Sequence, residues 1–385
     1  MTRPMPRIAF LCCHLSGTGH LVRTLALARA TAAAGSQVLV IGGGRPLDHI
    51  DLKDIGFLQL PPVQVPDFDF STLRTPEGAV ADDAYLAARR SKLETALTSF
   101  RPDALVTELF PLGRRILAAE FEAAIAATLA ANPAAAIIAS VRDIPEPPSS
   151  PRRLEQAADR LRRHYDALLV HGDAEFLPLA ATWPLAQDLA PLIHHTGYVA
   201  GDPPPPCDVP GATVLVAVGG GVLGRRLLAL AAGAAALSRR PWHLLTGGAD
   251  AADLARDLTA QYGRANLATT NLTAEPARPD YKALLAGAAC SISLAGYNTV
   301  LDLAGCTTPA VVVPFDEHGE VEQVIRAERL ARLDGFTVLR VDDLTPSMLA
   351  AAAETAATGP RRTPLALARD GATRASAKIL ELAAR

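Results

Sequence analysis

The chain has 385 residues, of which 49% are hydrophobic and 20% are charged, and its formal net charge is -3 at pH 7. This composition supplies cores for two domains of ordinary size and excludes a chain that is disordered throughout. The charge excludes a general attraction to nucleic acid, and basic residues are not interleaved with aromatic ones, so no nucleic-acid partner is expected.

The cysteines and the apolar segments indicate where the protein resides. Five cysteines are scattered without a Cys-x-x-Cys pair or metal-ligand spacing to histidines, so buried, reduced thiols and a cytoplasmic location are expected. Residues 8–15 form an apolar run too short for a signal peptide. The stretch 116–140 contains Glu120, Glu122 and Pro133, which argues against a membrane span.

Strand-like and helix-like segments alternate from the beginning of the chain, which predicts an α/β fold with parallel sheets. In the first half we expect strands at 8–12, 38–41, 104–107, 136–141 and 167–171. The helices between and after them are expected at 21–34, 84–100, 114–131 and 151–165. Gly35 follows the first helix as a typical C-terminal stop.

Residues 201–211 interrupt this alternation with four successive prolines, which predicts a stiff linker. A second alternation starts with a strand at 213–218 and runs to residue 339, and helices at 346–357 and 363–384 close the chain. We therefore predict an N-terminal domain at 1–200 and a C-terminal domain at 212–362. Both are expected to be Rossmann-like, doubly wound and facing across a cleft, with ligand loops at the carboxyl ends of their strands.

A glycine-rich loop follows strand 213–218 and precedes a helix predicted at 225–236. It contains Gly219, Gly220, Gly221 and Gly224. Glycines allow backbone amides to approach a diphosphate, and the helix N-terminus favours negative charge. A tight turn without a ligand is the alternative.

A second polar segment follows the apolar strand predicted at 289–292. It contains Ala295, Gly296, Asn298, Thr299 and Asp302. A carboxylate one turn into the helix can accept hydrogen bonds from both ribose hydroxyls, which is the role predicted for Asp302. The alternative is a simple interaction of Asp302 with the helix dipole.

A third polar segment, 314–323, follows the strand predicted at 310–313 and ends with Glu322 and Gln323. Side chains of this kind can read sugar hydroxyls, whereas a solvated loop with a capped helix is the alternative. Consecutive strand-end loops with amides for a diphosphate, a carboxylate for ribose and a Glu-Gln pair predict a nucleoside-diphosphate-sugar site.

These three segments resemble the GT-B glycosyltransferases, specifically the MurG-type N-acetylglucosaminyltransferases. In that family a Gly-rich loop, a Ser-Gly-x-x-Thr-x-x-Glu segment and a Gln-rich Pro-Phe loop bind the UDP-sugar, and they correspond to 219–224, 295–302 and 314–323. Asp302 stands where the family usually has Glu, and Leu294 stands where it often has a basic residue. The resemblance also implies that the closing segment 363–385 packs back on the N-terminal domain.

The N-terminal segment Gly17-Thr18-Gly19-His20 matches the family's first glycine loop, which faces the cleft. The family places acceptor and donor phosphates near this loop. His20 is therefore the predicted base for an acceptor hydroxyl or a hydrogen-bond donor to phosphate, with a purely structural role as the alternative.

Three further polar residues follow predicted strands on the same side. Glu108 is a second candidate base or acceptor ligand, and Arg142 and His171 are predicted to face the acceptor. Salt bridges or loop caps are the alternatives for all three.

The predicted reaction is an inverting, metal-independent transfer of a sugar, with GlcNAc favoured, from a UDP-sugar to an unidentified acceptor. No metal ion or other cofactor is expected beyond the donor. No Asp-x-Asp metal motif follows a predicted strand, since Asp67-Phe68-Asp69 has this spacing but lies in a Pro-rich loop. A lipid-linked and a small-molecule acceptor both fit, the former with peripheral contact at the inner membrane face. The five arginines of 152–164 form either a solvated face or a contact with anionic lipid.

Two alternative functions remain open from the sequence. The first is a UDP-sugar hydrolase or 2-epimerase of the same fold, and the second is a non-catalytic nucleotide-sugar sensor. A base beside the anomeric carbon would distinguish an enzyme from a sensor.

Overall fold

The computed structural model describes residues 5–15, 18–46, 52, 55–65, 71–218, 224–248, 250–262, 271–315 and 321–385. The chain forms two compact units, Met1–Ala200 with Ala368–Arg385, and Gly201–Leu367. We refer to these as the N-terminal and C-terminal domains. No described helix combines the length and hydropathy that a membrane crossing requires.

The N-terminal domain contains a parallel sheet whose central strands are mainly apolar and buried along nearly their whole length, as expected for strands covered on both faces. Their order is β3-β2-β1-β4-β5-β6-β7. The order reverses between β1 and β4, which is where ligands bind in sheets of this kind. The strands are β1 (Arg7–Cys12), β2 (Gln37–Gly42), β3 (Gly56–Gln59), β4 (Ala104–Glu108), β5 (Ala136–Arg142), β6 (Ala167–His171) and β7 (Ile193–His195).

Helices cover both faces of this sheet. They are α1 (Gly19–Ala33), α2 (Asp83–Phe100), α3 (Ala118–Ala131), α4 (Pro151–His164) and, from the end of the chain, α11 (Gly371–Ala383). On one face α1 and α11 bury Leu25 and Ile379, and on the other α2 and α3 bury Leu93 and Phe121. Gly35 follows α1 with a φ of +91°, a left-handed conformation that glycine adopts without strain.

The C-terminal domain contains a second parallel sheet in the order β10-β9-β8-β11-β12-β13, which reverses between β8 and β11. Its strands are β8 (Val214–Ala217), β9 (Trp242–Thr246), β10 (Leu272–Pro276), β11 (Cys290–Ser293), β12 (Ala310–Val312) and β13 (Phe336–Val338). Its helices are α5 (Gly224–Leu237), α6 (Ala251–Tyr262), α7 (Tyr281–Gly287), α8 (Tyr297–Ala304), α9 (Glu322–Leu330) and α10 (Pro346–Thr358).

Two predicted helices begin later in the structure than the sequence indicated. The helix predicted at 114–131 begins only at Ala118, because Arg114 adopts a left-handed conformation (φ 59°) and Arg115–Leu117 form a 3₁₀ turn. The helix predicted at 363–384 begins at Gly371. Before it, Arg361 and Arg362 donate to the backbone carbonyls of 286, 288, 303 and 308, which holds this stretch against the C-terminal domain in a non-helical conformation.

The proline-rich segment also differs from a free linker. Residues from Gly201 onward belong to the compact C-terminal unit. Lys282 donates to the carbonyl of Asp202, and the Gly211 amide donates to the Gly287 carbonyl over 2.7 Å. The segment is therefore attached to the C-terminal domain near both of its ends.

Candidate active site

His20 and Glu108 lie together at the point where the N-terminal sheet reverses its order. His20 is the second residue of α1, the helix that follows β1, and Glu108 ends β4, the neighbour of β1. His20 Nδ1 lies 2.9 Å from Glu108 Oε1. The His20 side chain is 17% exposed and that of Glu108 is 3% exposed, so the carboxylate lies beneath a partly accessible imidazole.

Arg23, one turn further along α1, forms an ion pair with the same carboxylate oxygen. Burial alone would raise the pKa of Glu108, but the Arg23 guanidinium and the His20 hydrogen bond outweigh it and hold this pKa well below its usual range. Glu108 is thus an anion at neutral pH.

The ionised carboxylate determines the tautomer of His20. Burial lowers the pKa of His20 to about 4, which the Glu108 hydrogen bond opposes and the Arg23 charge reinforces, so the imidazole is neutral at pH 7. Because a carboxylate only accepts hydrogen bonds, Nδ1 carries the proton and Nε2 is left with a lone pair. The 3.1 Å approach of Arg23 Nη2 to Nδ1 is then a contact between two donors and not a hydrogen bond. An imidazole held in this way by a carboxylate is the arrangement of a general base.

The polar chain continues inward from Glu108. Ser140 Oγ lies 2.7 Å from Glu108 Oε2 and 2.9 Å from His171 Nε2, and His171 Nδ1 lies 2.9 Å from Thr196 Oγ1. The predicted acceptor contact of His171 is wrong for this structure, because its side chain is fully buried (0% exposed) and both ring nitrogens contact hydroxyl groups of the protein.

The other predicted residues of this domain lie around the start of α1 and the end of β5. Thr18 precedes α1 and is exposed, and a Cβ on Gly19 would meet no atom of the described residues within 4 Å. Arg142 ends β5 and is half-buried. Gly17 and the segment Asp67-Phe68-Asp69 lie outside the described residues.

Two arginines of this site were not predicted from the sequence. Arg23 lies three residues after His20 on the same helix face, a spacing that could have indicated it. Arg114 donates to the Cys13 carbonyl over 2.6 Å, and burial lowers its pKa despite the nearby Glu108 anion. No spacing in the sequence indicated Arg114, which was predicted to start a helix but adopts a left-handed conformation.

In the C-terminal domain, Gly224 is explained by packing. A Cβ on Gly224 would lie 2.3 Å from Val218 Cγ2 and 2.4 Å from Val218 Cβ, so α5 can approach the end of β8 only with glycine here. This is the close helix–strand contact of dinucleotide-binding loops. Gly219, Gly220 and Gly221, predicted to bind the diphosphate, lie outside the described residues.

The second donor segment forms the loop between β11 and α8. Ala295 is buried, Gly296 precedes the helix, and Asn298 and Thr299 lie in its first turn, Asn298 exposed and Thr299 half-buried. The Asp302 side chain is 13% exposed, and its Oδ1 lies 3.5 Å from Lys282 Nζ. Asp302 is the sixth residue of α8, beyond the turn where the helix dipole acts, so the ion pair explains its position better than the dipole does.

Gln323 connects two strand-end loops of this domain. Its Oε1 accepts hydrogen bonds from the Ala295 amide (3.1 Å) and the Phe315 amide (3.2 Å). The Gln323 side chain, which was predicted to read sugar hydroxyls together with Glu322, therefore uses its amide oxygen to hold the backbone of two predicted donor loops.

Glu322 is paired with a residue that the sequence analysis missed. Arg326, one turn further along α9 and 1% exposed, donates to Glu322 Oε1 over 2.5 Å and to the Ala295 carbonyl over 3.3 Å. Its guanidinium also lies 5.6 Å from the centre of the Tyr297 ring. The four-residue spacing of an acid and a base on one helix was the available signal.

The arginine-rich face of α4 forms ion pairs within the N-terminal domain. Arg160, Arg162 and Arg163 pair with Glu122, Asp188 and Asp159, respectively. These three ion pairs neutralise part of the face, whereas Arg152 and Arg153 are exposed in the first turn of the helix. Within the described ranges, no group of three His, Cys, Asp or Glu side chains is arranged to hold a metal ion.

Residues 214–382 match the family described as glycosyltransferase family 28 C-terminal domain. A curated relative from Anaeromyxobacter sp. (strain Fw109-5) is UDP-N-acetylglucosamine--N-acetylmuramyl-(pentapeptide) pyrophosphoryl-undecaprenol N-acetylglucosamine transferase. It is 34% identical over 83 residues, which are 22% of this chain and 22% of the relative. The match thus spans about a fifth of the relative's length.

Solved structures resemble this chain over nearly its whole length. Acinetobacter baumannii MurG superposes with a TM-score of 0.61 at 16% identity, covering 98% of this chain and 95% of that one. The calicheamicin glycosyltransferase CalG4 gives a TM-score of 0.58 at 20% identity, covering 99% and 96%. Glycosyltransferase VinC, in complex with DTDP, gives 0.59 at 15%, covering 98% and 95%. These similarities confirm the predicted GT-B fold and the resemblance to MurG-type proteins.

Proposed function

We propose that the chain transfers a sugar from a nucleoside-diphosphate sugar to an acceptor hydroxyl, a proposal that the match of residues 214–382 to the glycosyltransferase family 28 C-terminal domain supports. UDP is the proposed nucleotide and N-acetylglucosamine the proposed sugar. The curated relative, whose name states UDP-N-acetylglucosamine, supports this choice.

The observation that carries the proposal is the pairing of His20 with Glu108. His20 Nε2 takes the proton of the acceptor hydroxyl while the acceptor oxygen bonds to the anomeric carbon of the sugar. The bond from that carbon to the diphosphate oxygen breaks at the same time, and its electrons leave with UDP. A single displacement of this kind inverts the anomeric configuration, and the buried Glu108 anion stabilises the imidazolium that forms.

The C-terminal domain would hold the leaving UDP through the N-termini of α5 and α8. The positive ends of these two helix dipoles, with Asn298 and Thr299 in the first turn of α8, favour the charge that develops on the diphosphate. We therefore propose that transfer does not require a metal ion. Turnover that is unchanged by a chelator and by added Mg²⁺ is the expected result, and loss of turnover on chelation that Mg²⁺ restores would contradict it.

The donor is tested directly by binding. Purified protein is titrated with UDP, UDP-GlcNAc and other nucleoside-diphosphate sugars while its thermal unfolding is followed. UDP-GlcNAc is expected to raise the midpoint most, and Asp302→Asn is expected to reduce that shift. Asp280→Asn is the matched control, because Asp280 is an exposed aspartate of the same domain paired with Arg278. No shift with any of these nucleotides would contradict the proposal.

Turnover with candidate acceptors then tests the reaction. We propose a lipid-linked acceptor, for which the name of the curated relative is the support, and a small-molecule acceptor is the second arm of the assay. The anomeric configuration of the product, read by NMR, tests inversion. Release of UDP at the same rate without any acceptor would instead identify a UDP-sugar hydrolase, and binding without turnover would identify a sensor.

A further inference from the structure

Glu108 is one end of a buried hydrogen-bond chain that crosses the carboxyl ends of neighbouring strands. We propose that Ser140, His171 and Thr196 are positioning residues that hold Glu108 in place and thereby fix the tautomer of His20. This inference rests on the proposed function for its catalytic consequence, whereas the proton arrangement it predicts can be measured without any substrate.

The strand register brings these side chains together. Glu108 of β4 is paired with Ser140 of β5, and His171 of β6 lies two residues beyond the β6 partner of Ser140, on the same face of the sheet. Thr196 follows β7 directly. Ser140 is 1% exposed, His171 0% and Thr196 3%, so none of them contacts bulk water.

The single hydroxyl proton of Ser140 determines the direction of the chain. Ser140 Oγ contacts Glu108 Oε2 at 2.7 Å and His171 Nε2 at 2.9 Å, but it can donate to only one of them. An ionised carboxylate cannot donate, so Ser140 donates to Glu108 and His171 Nε2 donates to Ser140.

The same reasoning extends to Thr196. A neutral His171 with its proton on Nε2 has an acceptor at Nδ1, and Thr196 Oγ1, 2.9 Å away, donates to it. The Gly197 and Val170 carbonyls, at 3.0 and 3.4 Å, compete for the Thr196 proton. If Thr196 donated to either, His171 would have to carry its proton on Nδ1, and Ser140 would then be drawn away from Glu108.

The consequence for His20 follows from the two oxygens of Glu108. Ser140 holds Oε2, so the carboxylate cannot rotate freely, and Oε1 stays directed at His20 Nδ1 while it is also paired with Arg23. Hydrogen bonds in a buried, low-dielectric network reinforce one another, so a donor several bonds away still restricts the carboxylate. His20 Nε2 is thereby kept in the form that can accept a proton.

The proton arrangement is tested by NMR of the full chain labelled with ¹⁵N-histidine at neutral pH. Signals are assigned by their loss in His20→Gln and His171→Gln, since the chain has 9 histidines. The expected result is a neutral His20 with its proton on Nδ1 and a neutral His171 with its proton on Nε2. A His171 with its proton on Nδ1, or a doubly protonated His171, would overturn the proposal.

The catalytic consequence is tested by an isosteric pair at Thr196. Thr196→Val removes the hydroxyl and is expected to lower kcat about tenfold with the donor KM unchanged, because the residue acts through His20 and not on the donor. Thr196→Ser keeps the hydroxyl and is expected to restore kcat. Thr31→Val is the matched control, since Thr31 is a fully buried threonine of the same domain whose hydroxyl donates to the Leu27 carbonyl in its own helix.

The two proposals fail in different ways. If the expected tautomers are observed but no acceptor is glycosylated, the proposed function fails and the hydrogen-bond chain stands. If transfer occurs and Thr196→Val and Thr196→Ser lower kcat equally, the positioning role is refuted while the proposed function stands.

Discussion

His20 Nδ1 lies 2.9 Å from Glu108 Oε1 although 88 residues separate them in the chain. The contact follows from the sheet order, because β1 and β4 are hydrogen-bonded neighbours. His20 lies in the helix that follows β1, and Glu108 is the last residue of β4. The sequence analysis named both residues as alternative bases. Their contact assigns them different roles. The partly exposed imidazole of His20 can reach a substrate, and the buried carboxylate of Glu108 can orient that imidazole.

Removing the imidazole tests this division. His20→Ala is expected to lower kcat about 100-fold or more, the usual contribution of a general base, while donor affinity measured by calorimetry stays within about twofold. His194→Ala is the control, because His194 lies in β7 of the same domain near the charges of α11 and outside the polar chain. Equal turnover in wild type and His20→Ala would remove His20 from the mechanism.

The buried histidines predict that acid destabilises the N-terminal domain before its carboxylates titrate. Burial lowers the pKa of His171 to about 3 and that of His20 to about 4, against 6.5 for an ordinary histidine. Below pH 6.5 the unfolded state therefore binds protons that the folded state does not. Stability is fully present above that pH and falls as the pH decreases toward 4, by about 1.4 kcal/mol per pH unit for each group.

Urea unfolding measured across this window checks the expectation. His171→Asn is expected to flatten the dependence, because it removes one of these groups. Glu108 does not affect this measurement above pH 4.5. Its pKa is lower in the folded state than its unfolded value of 4.5, so the stability that Glu108 contributes is lost only below pH 4.5. A variant with the slope of the wild type would show that His171 titrates normally in the folded state.

Substitution of Gln323 is expected to lower the stability of the C-terminal domain and not only its affinity for the donor. Gln323→Leu leaves the amides of Ala295 and Phe315 without their acceptor, which should cost about 1–3 kcal/mol of unfolding free energy. Gln323→Glu keeps an acceptor oxygen and should retain most of that stability. Chemical denaturation of both variants distinguishes this from a sugar-reading role, in which stability would be unchanged and only donor affinity would fall.

Gly224 is expected to tolerate no side chain while Val218 is present. Gly224→Ala should destabilise the C-terminal domain by about 1–3 kcal/mol through overpacking, and the double variant with Val218→Ala should recover part of the loss. Gly296→Ala is the contrasting change, because the nearest atom to its added Cβ is Thr299 Oγ1 at 3.9 Å. Equal stability of Gly224→Ala and wild type would refute the close contact.

The alternation of apolar runs was enough to predict the two parallel sheets and most helix positions, because uninterrupted apolar strands and capped helices carry local signals. The segment before α11 could not be predicted from local pattern, since Arg361 and Arg362 hold it through carbonyls far away in the sequence. The same limit applies to Arg114, whose conformation depends on the loop around it.

The candidate site was predictable as a set of residues and not as a set of contacts. The resemblance of the first glycine loop identified His20, and strand-end position identified Glu108 and His171, but neither showed that His171 is buried behind Ser140. Similarly, the Gln323 side chain bonds to the backbone of loops 28 and 8 residues away, a relationship that side-chain type alone does not contain.

The place of α11 in the N-terminal domain affects the order in which the two domains can fold during synthesis. Its Ala375, Ile379 and Leu382 complete the core formed with α1, and Gly371 packs so closely on Tyr198 that a Cβ there would lie 2.7 Å from its backbone. A ribosome makes all of 201–367 before it reaches these residues, so the C-terminal domain can fold first. Until α11 has been made, the rest of the N-terminal domain carries an uncovered apolar face, which is the condition under which nascent chains recruit chaperones.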